Sequence, residues 1–291
     1  MLSLLKNLFL GSLSLTNHEF IHEHNSENHT YHVSENQFID RNYDDEYYIQ
    51  HNQQNQQNHY LIHNKSSYNN IPDTDIDSVD WRDEYKVSSV KNQEQCGACW
   101  AFSAVGAVES AWAIKNNVLY NLSEQELVDC SSQNNGCEGG EMDMAFEFIM
   151  NNSLCTNLSY PYVAIDEECD MEQCNPVVTI TNYTDVLKNN ESSLKNAVAI
   201  NPVSVAIQAN KRSFQMYNSG IYNDLDCGTD LDHGVLVVGY GYDENTTMKY
   251  WIIKNSWSEQ WGENGYIRIE RDIEDEKGLC GIAMMPSYPI V

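Results

Sequence analysis

Two cysteines three residues apart could do chemistry in the stretch Gln93 to Trp100, which reads QEQCGACW. A Cys-x-x-Cys pair occurs in redox dithiols, in halves of zinc sites, and where a structural cysteine lies beside a nucleophilic one. The chain has nine cysteines, so a secreted protein that pairs eight of them keeps one thiol. The count therefore favours a disulfide framework plus one reactive cysteine.

The zinc and redox interpretations need partners that the sequence does not supply. A closed zinc site needs a second cysteine pair or a histidine pair, and the cysteine-bearing part of the chain contains only one histidine, His233. A thioredoxin-like dithiol lies near a strand–helix–strand pattern. Here the run from Cys99, CWAFSAVGAVESAWAIK, is apolar on nearly every face and predicts a long buried helix.

A cysteine at the start of a buried helix is suited to nucleophilic attack. An ordinary thiol has a pKa of about 8.5, and a helix N-terminus with a nearby imidazolium holds it as the thiolate at lower pH. Cys99 lies where the helix is expected to begin, and the segment DLDHGVLVVGYG places His233 at the entrance to a strand. A lone histidine is more often a core residue, and the odd cysteine count is what favours a catalytic role here.

The elements around these residues change character along the chain. Eight of the nine histidines precede residue 80, together with the Gln/Asn-rich tract HNQQNQQNHY, which has too little apolar content to fold alone. The later part has helical patterns in LSEQELVDC, whose Ser123 and Glu126 have capping-box spacing, and in EMDMAFEFIM. After Pro176, strand patterns occur in VSVAIQA, GVLVVGYG, KYWIIKNSW and GYIRIERD. This order predicts an α+β protein with two lobes and a cleft between them.

Charge and length exclude several classes of function. The formal charge of −27 and the presence of only 16 Lys and Arg residues argue against nucleic acid or an anionic membrane as partner. No apolar run reaches the roughly 18 residues of a membrane span. The start, MLSLLKNLFLGSLSL, fits either a secretory signal or the remnant of a helix that belongs to the next segment of the chain.

Seven motifs, some of them quoted above, are spread over nearly all of residues 71–291: NQEQCGACWAFSAVGAVES, LSEQELVDC, GCEGG, YPY, DHGVLVVGYG, WIIKNSW and WGENGYIRI. Together they resemble the papain family of cysteine proteases, in a proenzyme form. In that family C-G-[SA]-C-[WY] precedes a histidine and an asparagine by about 130 to 150 residues. Here the separations from Cys99 are 134 residues to His233 and 156 to Asn255, the second slightly beyond that range.

The resemblance implies a papain-like fold with a helical lobe and an antiparallel β-barrel lobe, and an endopeptidase that needs no cofactor or metal. Cys99 would be the nucleophile, His233 the general acid and base, and Asn255 the side chain that orients the imidazole. Gln93 would donate to the oxyanion, and Trp257 would shield the histidine–asparagine hydrogen bond. No insertion of the kind that blocks one end of the cleft follows Gly140, which favours endopeptidase action.

Substrate contacts are also implied by the resemblance. The residues expected to contact substrate, besides Trp257, are Gly139, Gly140, Met142, Ala206, Leu231 and Met285. Because the four side chains expected to line the main pocket are apolar, we expect Leu, Val or Phe two residues before the cut, with Glu141 on the rim admitting some basic character. Protein and peptide substrates and a monomeric enzyme are expected.

Disulfide pairing rests on the resemblance as well, since eight cysteines allow 105 pairings. The implied bridges are Cys96–Cys137, Cys130–Cys169, Cys227–Cys280 and Cys155–Cys174. The last of these resembles an additional bridge in members from malaria parasites. Cys96 would then be structural, and only Cys99 would keep its thiol.

The N-terminal part offers a rival class of enzyme. HEFIH, residues 18–22, matches the H-E-x-x-H signature of zinc proteases. The same stretch fits the prosegment pattern N-x3-I-x3-N through Asn17, Ile21 and Asn25, and SENQFID resembles the prosegment motif G-x-N-x-F-x-D with Ser34 in place of glycine. A catalytically silent homologue that acts as a binding protein is a third alternative, which the complete set of four catalytic residues argues against.

We therefore expect three regions. Residues 1–16 are a signal or a degenerate prosegment start, 17–75 an inhibitory-type prosegment with a linker, and 76–291 the peptidase domain. Secretory routing to a lysosome-like vacuole or out of the cell is expected, and eight N-x-[ST] triplets agree with a glycoprotein. The eight early histidines suggest that protonation below about pH 6.5 loosens the prosegment, unless they form only a solvated spacer.

Overall fold

The computed structural model describes residues 15–38, 73–172 and 174–291, in which three successive helices precede most of the strands. The helices are α1 (Asn17–Ser26), α2 (Cys99–Asn116), α3 (Glu124–Cys130), α4 (Met142–Asn152), α5 (Glu191–Val198) and α6 (Arg212–Gln215). The strands are β1 (Tyr31–Val33), β2 (Val79–Asp80), β3 (Asn182–Asp185), β4 (Val203–Ile207), β5 (Tyr217–Tyr222), β6 (His233–Asp243), β7 (Met248–Lys254), β8 (Tyr266–Glu270) and β9 (Ser287–Ile290). Short 3₁₀ turns cover Gly136–Glu138, Leu225–Cys227 and Leu279–Gly281.

Helix α2 is the buried helix that the sequence predicts. Its residues from Cys99 to Ala111 are all buried, because small side chains on every face allow neighbouring elements to approach closely. No side chain caps its N-terminus at Ala98, so the first-turn N–H groups have no side-chain acceptor from the cap residue. At the other end Asn117, in the left-handed conformation with φ 56°, ends the helix by donating its N–H to the carbonyl of Ala113.

Helix α3 begins at the predicted cap but uses only half of the expected capping box. Ser123 accepts a hydrogen bond from the backbone N–H of Glu126 at 3.0 Å. The carboxylate of Glu126 reaches away from the cap and accepts the backbone N–H of Cys155 at 2.8 Å. Since Glu126 is fully buried, its carboxylate takes the donor that lies within the core.

The strands form one sheet in the order β1-β5-β8-β7-β6-β4-β9-β3, and β2 pairs with β6 beside this path. Every pair is antiparallel except β5 with β8, so the expected antiparallel lobe contains one parallel pair. A parallel pair needs a long connection, and the chain between these strands includes the whole β6–β7 hairpin. Strand β1, from the N-terminal part, adds a strand to the sheet at β5.

Strand β6 forms the wall between two hydrophobic cores. Val235 and Val237 face the core of the strand-rich lobe, whereas Leu236 and Val238 face the core around α2. Alternate residues of a strand point to opposite faces, so a strand buried on both faces is apolar throughout, as the run GVLVV is. The two lobes therefore meet along β6.

No helix among the described residues is both long and apolar enough to cross a lipid bilayer. The expectations for MLSLLKNLFLGSLSL and for the tract HNQQNQQNHY fall almost wholly outside the described residues.

Candidate active site

Cys99 is the only one of the nine cysteines that keeps its thiol. The other eight form four disulfides, which join the same pairs that the resemblance implies: Cys96–Cys137, Cys130–Cys169, Cys155–Cys174 and Cys227–Cys280. Cys99 is the first residue of α2, and its exposed fraction is 1%. The thiol therefore lies at the positive end of an 18-residue helix dipole, which favours the thiolate.

His233 and Asn255 lie at the neighbouring ends of two paired strands. His233 is the first residue of β6, and Asn255 directly follows β7. The Oδ1 atom of Asn255 accepts from Nε2 of His233 at 2.7 Å and from the backbone N–H of Ser256 at 2.8 Å. Because Oδ1 accepts both bonds, Nε2 carries a proton, and Nδ1 is the ring nitrogen left for proton exchange.

Helix α2 runs beside β6 in a way that brings Cys99 level with His233. A Cβ placed on Gly234, the neighbour of His233, would lie 3.3 Å from the carbonyl carbon and oxygen of Cys99. Further along, the Oγ of Ser103 donates to the carbonyl of Val235 at 2.7 Å. The two elements thus carry their first residues, Cys99 and His233, to the same end of the lobe boundary.

Gln93 is fully buried and its side-chain amide has a fixed orientation. Its Oε1 accepts from the Oγ of Ser256 at 2.6 Å, and its Nε2 donates to the carbonyl of Cys96 at 3.0 Å. An amide nitrogen has two hydrogens, so one remains for a further acceptor. Cys96 lies three residues before Cys99, and this donor is thereby held on the loop that leads to the thiol.

An aromatic group covers the histidine–asparagine pair. The ring of Trp257 is fully buried and lies 4.9 Å from that of His233, measured between centroids. Phe214 and Trp261 pack against Trp257 on the far side, at 5.9 and 5.2 Å. Phe38, from the N-terminal part of the chain, stacks on the same indole at 5.9 Å. These rings exclude water from the 2.7 Å hydrogen bond, which strengthens it.

Two of the four apolar residues expected to line the main pocket lie close to Gly234. Met142 and Ala206 lie close to Gly234, since Ala206 pairs with it across the sheet and the Sδ of Met142 would lie 3.3 Å from a Cβ there. Leu231 lies against Gly281. Met285 is half-buried.

The glycine pair in the loop before α4 approaches its neighbours closely. A Cβ on Gly140 would lie 2.4 Å from Oδ1 of Asn134 and 2.7 Å from the ring of Trp100, so no larger residue fits there. Gly139 precedes it with φ 117°, a conformation that favours glycine. The loop is also tied to the one before Cys99, because Gly97 donates its N–H to the carbonyl of Cys137 at 2.8 Å.

The N-terminal segment, defined here as residues 15–38, docks on the strand-rich lobe. Strand β1 pairs antiparallel with β5, and Tyr31 and Val33 enter the hydrophobic core of that lobe. The guanidinium of Arg212 lies 4.8 Å over the ring of Phe20 and donates to the side chain of Asn17. Asn17, the first residue of the N-x3-I-x3-N pattern, thus contacts the strand-rich lobe.

The H-E-x-x-H motif is part of this docked helix. The carboxylate of Glu19 completes a capping box with Thr16, accepting its backbone N–H at 2.9 Å and its hydroxyl at 2.8 Å. His18 and His22 are exposed on α1. Glu19 therefore serves as a helix cap, which accounts for its place in the motif.

One group of three potential metal ligands occurs among the described residues, Glu126 with Cys155 and Cys174. The two cysteines form a disulfide, which removes the thiolates that bind metals. Burial raises the pKa of Glu126 to about 7. This group is therefore a buried carboxyl beside a disulfide.

A set of buried charged residues that the sequence does not predict lies close to the site. We call Lys91, Glu109, Glu124 and Lys254, with the hydroxyl of Ser88, the interlobe charge cluster. These residues are drawn from the segment before Cys99, from α2 and α3, and from the end of β7. A charged residue inside an apolar run, as in GAVESAWA and WIIKNSW, is the signal that could have revealed them.

Comparison with known proteins identifies the family. A sequence model described as papain family cysteine protease matches residues 76–290. The chain belongs to the papain family of cysteine proteases. Among curated relatives, the probable cysteine protease RD21B of Arabidopsis thaliana is 48% identical over 277 residues, which cover 94% of this chain and 59% of that protein. The thiol protease SEN102 of Hemerocallis is 52% identical over 225 residues, covering 77% of this chain and 62% of that protein.

Solved structures of the family confirm the α+β fold. The bromelain protease from Ananas comosus in complex with the E64 inhibitor has a TM-score of 0.72 and 47% identity, and covers 74% of this chain and 99% of its own. The proform of Amb a 11, a ragweed pollen allergen, has a TM-score of 0.81 and 38% identity, and covers 94% of this chain and 85% of its own. This chain spans about three fifths of the length of the two curated relatives.

Proposed function

We propose that this chain is a cysteine endopeptidase made as a proenzyme, in which Cys99 attacks the peptide carbonyl and His233 transfers the proton. The observation that carries the proposal is the 2.7 Å hydrogen bond that fixes the ring of His233 on Asn255, beside the one cysteine outside the disulfides. Membership of the papain family supports the same chemistry.

The first half of the reaction forms an acyl-enzyme. The thiolate of Cys99 attacks the carbonyl carbon, and the resulting oxyanion accepts hydrogen bonds from the backbone N–H of Cys99 and from Nε2 of Gln93. The imidazolium of His233 protonates the amine as the carbon–nitrogen bond breaks, which leaves a thioester and a neutral imidazole. A neutral asparagine suffices as the orienting group, since the thiolate and imidazolium already carry opposite charges.

The second half returns the enzyme to its starting state. The neutral imidazole of His233 removes a proton from water, and the hydroxide formed attacks the thioester carbonyl. The same two donors stabilise the second oxyanion. Collapse of this intermediate breaks the carbon–sulfur bond, releases the carboxylic acid and restores the thiolate.

The N-terminal segment serves as an intramolecular inhibitor in this proposal, within a prosegment and linker of residues 17–75 that precedes a peptidase domain of residues 76–291. Its strand β1 and its ring contact between Phe38 and Trp257 support that role. The Amb a 11 structure, which is of a proform, covers nearly the whole chain. The prosegment would leave by proteolysis, after which a monomeric enzyme acts on protein and peptide substrates.

The proposal also includes the route of the protein through the cell, its glycosylation and its substrate preference. We expect passage through the secretory pathway to a vacuole or out of the cell, glycosylation, and preference for an apolar residue two positions before the cut. A KDEL-tailed endopeptidase of Arabidopsis thaliana, 54% identical over 216 residues, supports the secretory route. The resemblance of the Cys155–Cys174 bridge to one in malaria-parasite members stays a prediction, since the relatives RD21B and SEN102 are plant proteins.

Titration with an epoxide that alkylates active-site thiols tests the proposal. We expect one equivalent to modify Cys99 and to abolish hydrolysis of casein by the acid-processed chain, with a zinc chelator having no effect. A Cys99→Ala chain should be inactive and unlabelled. Hydrolysis that survives the epoxide but not the chelator would assign the activity to the zinc-protease class. A chain that neither hydrolyses casein nor reacts with the epoxide would be a binding protein.

A further inference from the structure

A line of hydrogen bonds crosses from one lobe to the other through the interlobe charge cluster. The Nζ of Lys254 donates to the Oγ of Ser88 at 2.9 Å, and Ser88 donates to Oε2 of Glu109 at 2.5 Å. The Nζ of Lys91 lies 2.9 Å from Oε1 of Glu109 and 2.5 Å from Oε1 of Glu124. The two lysines and two glutamates cancel in charge, and every member is at least mostly buried.

The cluster is connected along the chain to two of the candidate catalytic residues. Lys254 immediately precedes Asn255, and Glu109 belongs to α2, the helix that begins at Cys99. The four charged members of the cluster also line one small cavity together with Asn255, Ser256 and Gly234. The strand that carries the orienting asparagine is thus bonded, through one hydroxyl, to the helix that carries the thiol.

We propose that the interlobe charge cluster positions the catalytic pair. It holds the end of β7 at a fixed position along the axis of α2, and thereby fixes Asn255 and the ring of His233 relative to Cys99. Its members are positioning residues, since they act through Asn255 and α2 and touch no reacting atom. This inference rests on the proposed function and adds a cause for the alignment on which that function depends.

Buried charges suit this task better than apolar packing does. Apolar side chains tolerate a small displacement of one surface along another, whereas a displacement of about 1 Å here would stretch or break hydrogen bonds between buried charged groups, which is strongly unfavourable. The lobes meet along β6 mainly through aliphatic and small side chains. This packing sets the separation of the lobes but not their relative position along the interface. The cluster supplies the missing restraint.

Lys254 has the weaker pairing of the two lysines in the cluster, and it is the residue that links the cluster to β7. Burial lowers the pKa of Lys254 to about 8, because its ammonium donates only to a hydroxyl while the carboxylates of Glu109 and Glu124 lie farther off. Burial alone would also lower the pKa of Lys91, but its two direct carboxylate partners raise it above the ordinary value. Loss of Lys254 therefore breaks the link to β7 and leaves the other lysine paired.

The test is the pH dependence of Cys99 alkylation by iodoacetamide in the acid-processed enzyme, with mass analysis to confirm the site. In a Lys254→Met chain we expect the midpoint of the rate profile to rise by about one pH unit, because a misplaced imidazolium stabilises the thiolate less. In the acid-processed enzyme, kcat for a peptide substrate should fall about tenfold or more while KM changes little.

Glu191→Gln is the matched control. Glu191 is a buried carboxylate that also holds β7, through a 2.8 Å bond from Trp251, but it lies within the strand-rich lobe and does not reach α2. This variant should lower the melting temperature and keep the alkylation profile of the unsubstituted chain. A purely stabilising role of the cluster predicts the same behaviour for Lys254→Met, and that result would overturn the proposal.

Two further variants keep the test decisive. Ser88→Ala removes only the bridging hydroxyl, and it should shift the profile in the same direction even where Lys254→Met fails to fold. The double variant Lys254→Met, Glu109→Gln removes the unpaired charge, so it should recover stability without recovering the profile. Profiles that track melting temperature across all variants would refute positioning. Failure of the unsubstituted, acid-processed enzyme to react at Cys99 would instead refute the proposed function.

Discussion

Asn255 binds His233 through the ring nitrogen Nε2, at 2.7 Å, from the end of the neighbouring strand. The Asn255→Ala chain should keep its fold and lose this restraint on the ring. A hydrogen bond to a group that becomes charged is worth about 1.5–3 kcal/mol, which corresponds to a decrease in kcat of about 10- to 150-fold. Steady-state kinetics with a peptide substrate measure this. Asn116→Ala, at an exposed asparagine near the end of α2, is the control that should leave kcat unchanged.

The fixed amide of Gln93 gives a second prediction. Gln93→Ala removes a donor that only the transition state uses, so kcat should fall by about 10²- to 10³-fold with little change in KM. Gln125→Ala is the matched control, since Gln125 is equally buried and donates at 2.7 Å to the carbonyl of Ile165, away from the site. It should lower stability and leave kcat alone. A large increase in KM for Gln93→Ala would point to ground-state binding instead.

The proposed substrate preference depends on Met142 and Ala206, two apolar residues that lie beside Gly234 and that we expect to line the pocket. In a panel of peptides that differ two positions before the cut, Leu, Val and Phe should give the highest kcat/KM, because a buried charge there would lack a partner. Glu141→Gln should reduce cleavage of peptides with Arg at that position by about two- to fivefold, the size expected of an ion pair near the surface, since Glu141 is half-buried. A panel won by acidic residues would contradict the assignment of the pocket.

The stacked rings of His24 and His29, 3.9 Å apart, predict acid-promoted release of the N-terminal segment. Burial, and then the neighbouring His29, lower the pKa of His24, although Asp224 and the carbonyl of Tyr31 act in the other direction, and His32 adds a smaller lowering. A histidine whose pKa is lowered by docking binds a proton more readily when undocked. Docking therefore weakens as the pH falls below the ordinary histidine pKa, about 6.5, and continues to weaken until the lowered pKa is passed.

The variant that tests this changes both histidines to glutamine. Self-processing of His24→Gln, His29→Gln, followed by gel analysis from about pH 4 to 7, should be slower than that of the unsubstituted chain just below about pH 6.5. His18→Gln, His22→Gln alters two exposed histidines of the same helix and should process normally. An unchanged pH profile in the first variant would leave the histidines as a solvated spacer.

The sequence predicts the elements that support the site because their signals are local. Helix α2 covers Cys99–Asn116, the whole of the run CWAFSAVGAVESAWAIK and one residue more, since small and apolar residues on all faces specify a buried helix whatever surrounds it. Strands β6 and β7 lie within GVLVVGYG and KYWIIKNSW for the same reason, apart from short extensions at their ends.

Features that depend on distant partners could not be predicted in this way. Strand β1 is three residues long, and Tyr31 finds its partner at Gly220, far along the chain. The cluster around Lys254 combines four separate segments, and a single lysine in an apolar run does not reveal which hydroxyl or carboxylate it meets. The ring nitrogen used by Asn255 likewise depends on how two strand ends are placed, which spacing along the sequence does not fix.

Docking of β1 has a consequence for the enzyme after processing. Gly220 has φ 97°, and a Cβ there would lie 2.3 Å from the carbonyl oxygen of Thr30, so the incoming strand fits tightly against β5. Removal of the N-terminal segment turns β5 into the rim of the sheet and bares a row of hydrogen-bonding groups to water. Maturation thus exchanges a paired edge of the sheet for one whose backbone N–H and C=O groups bind water.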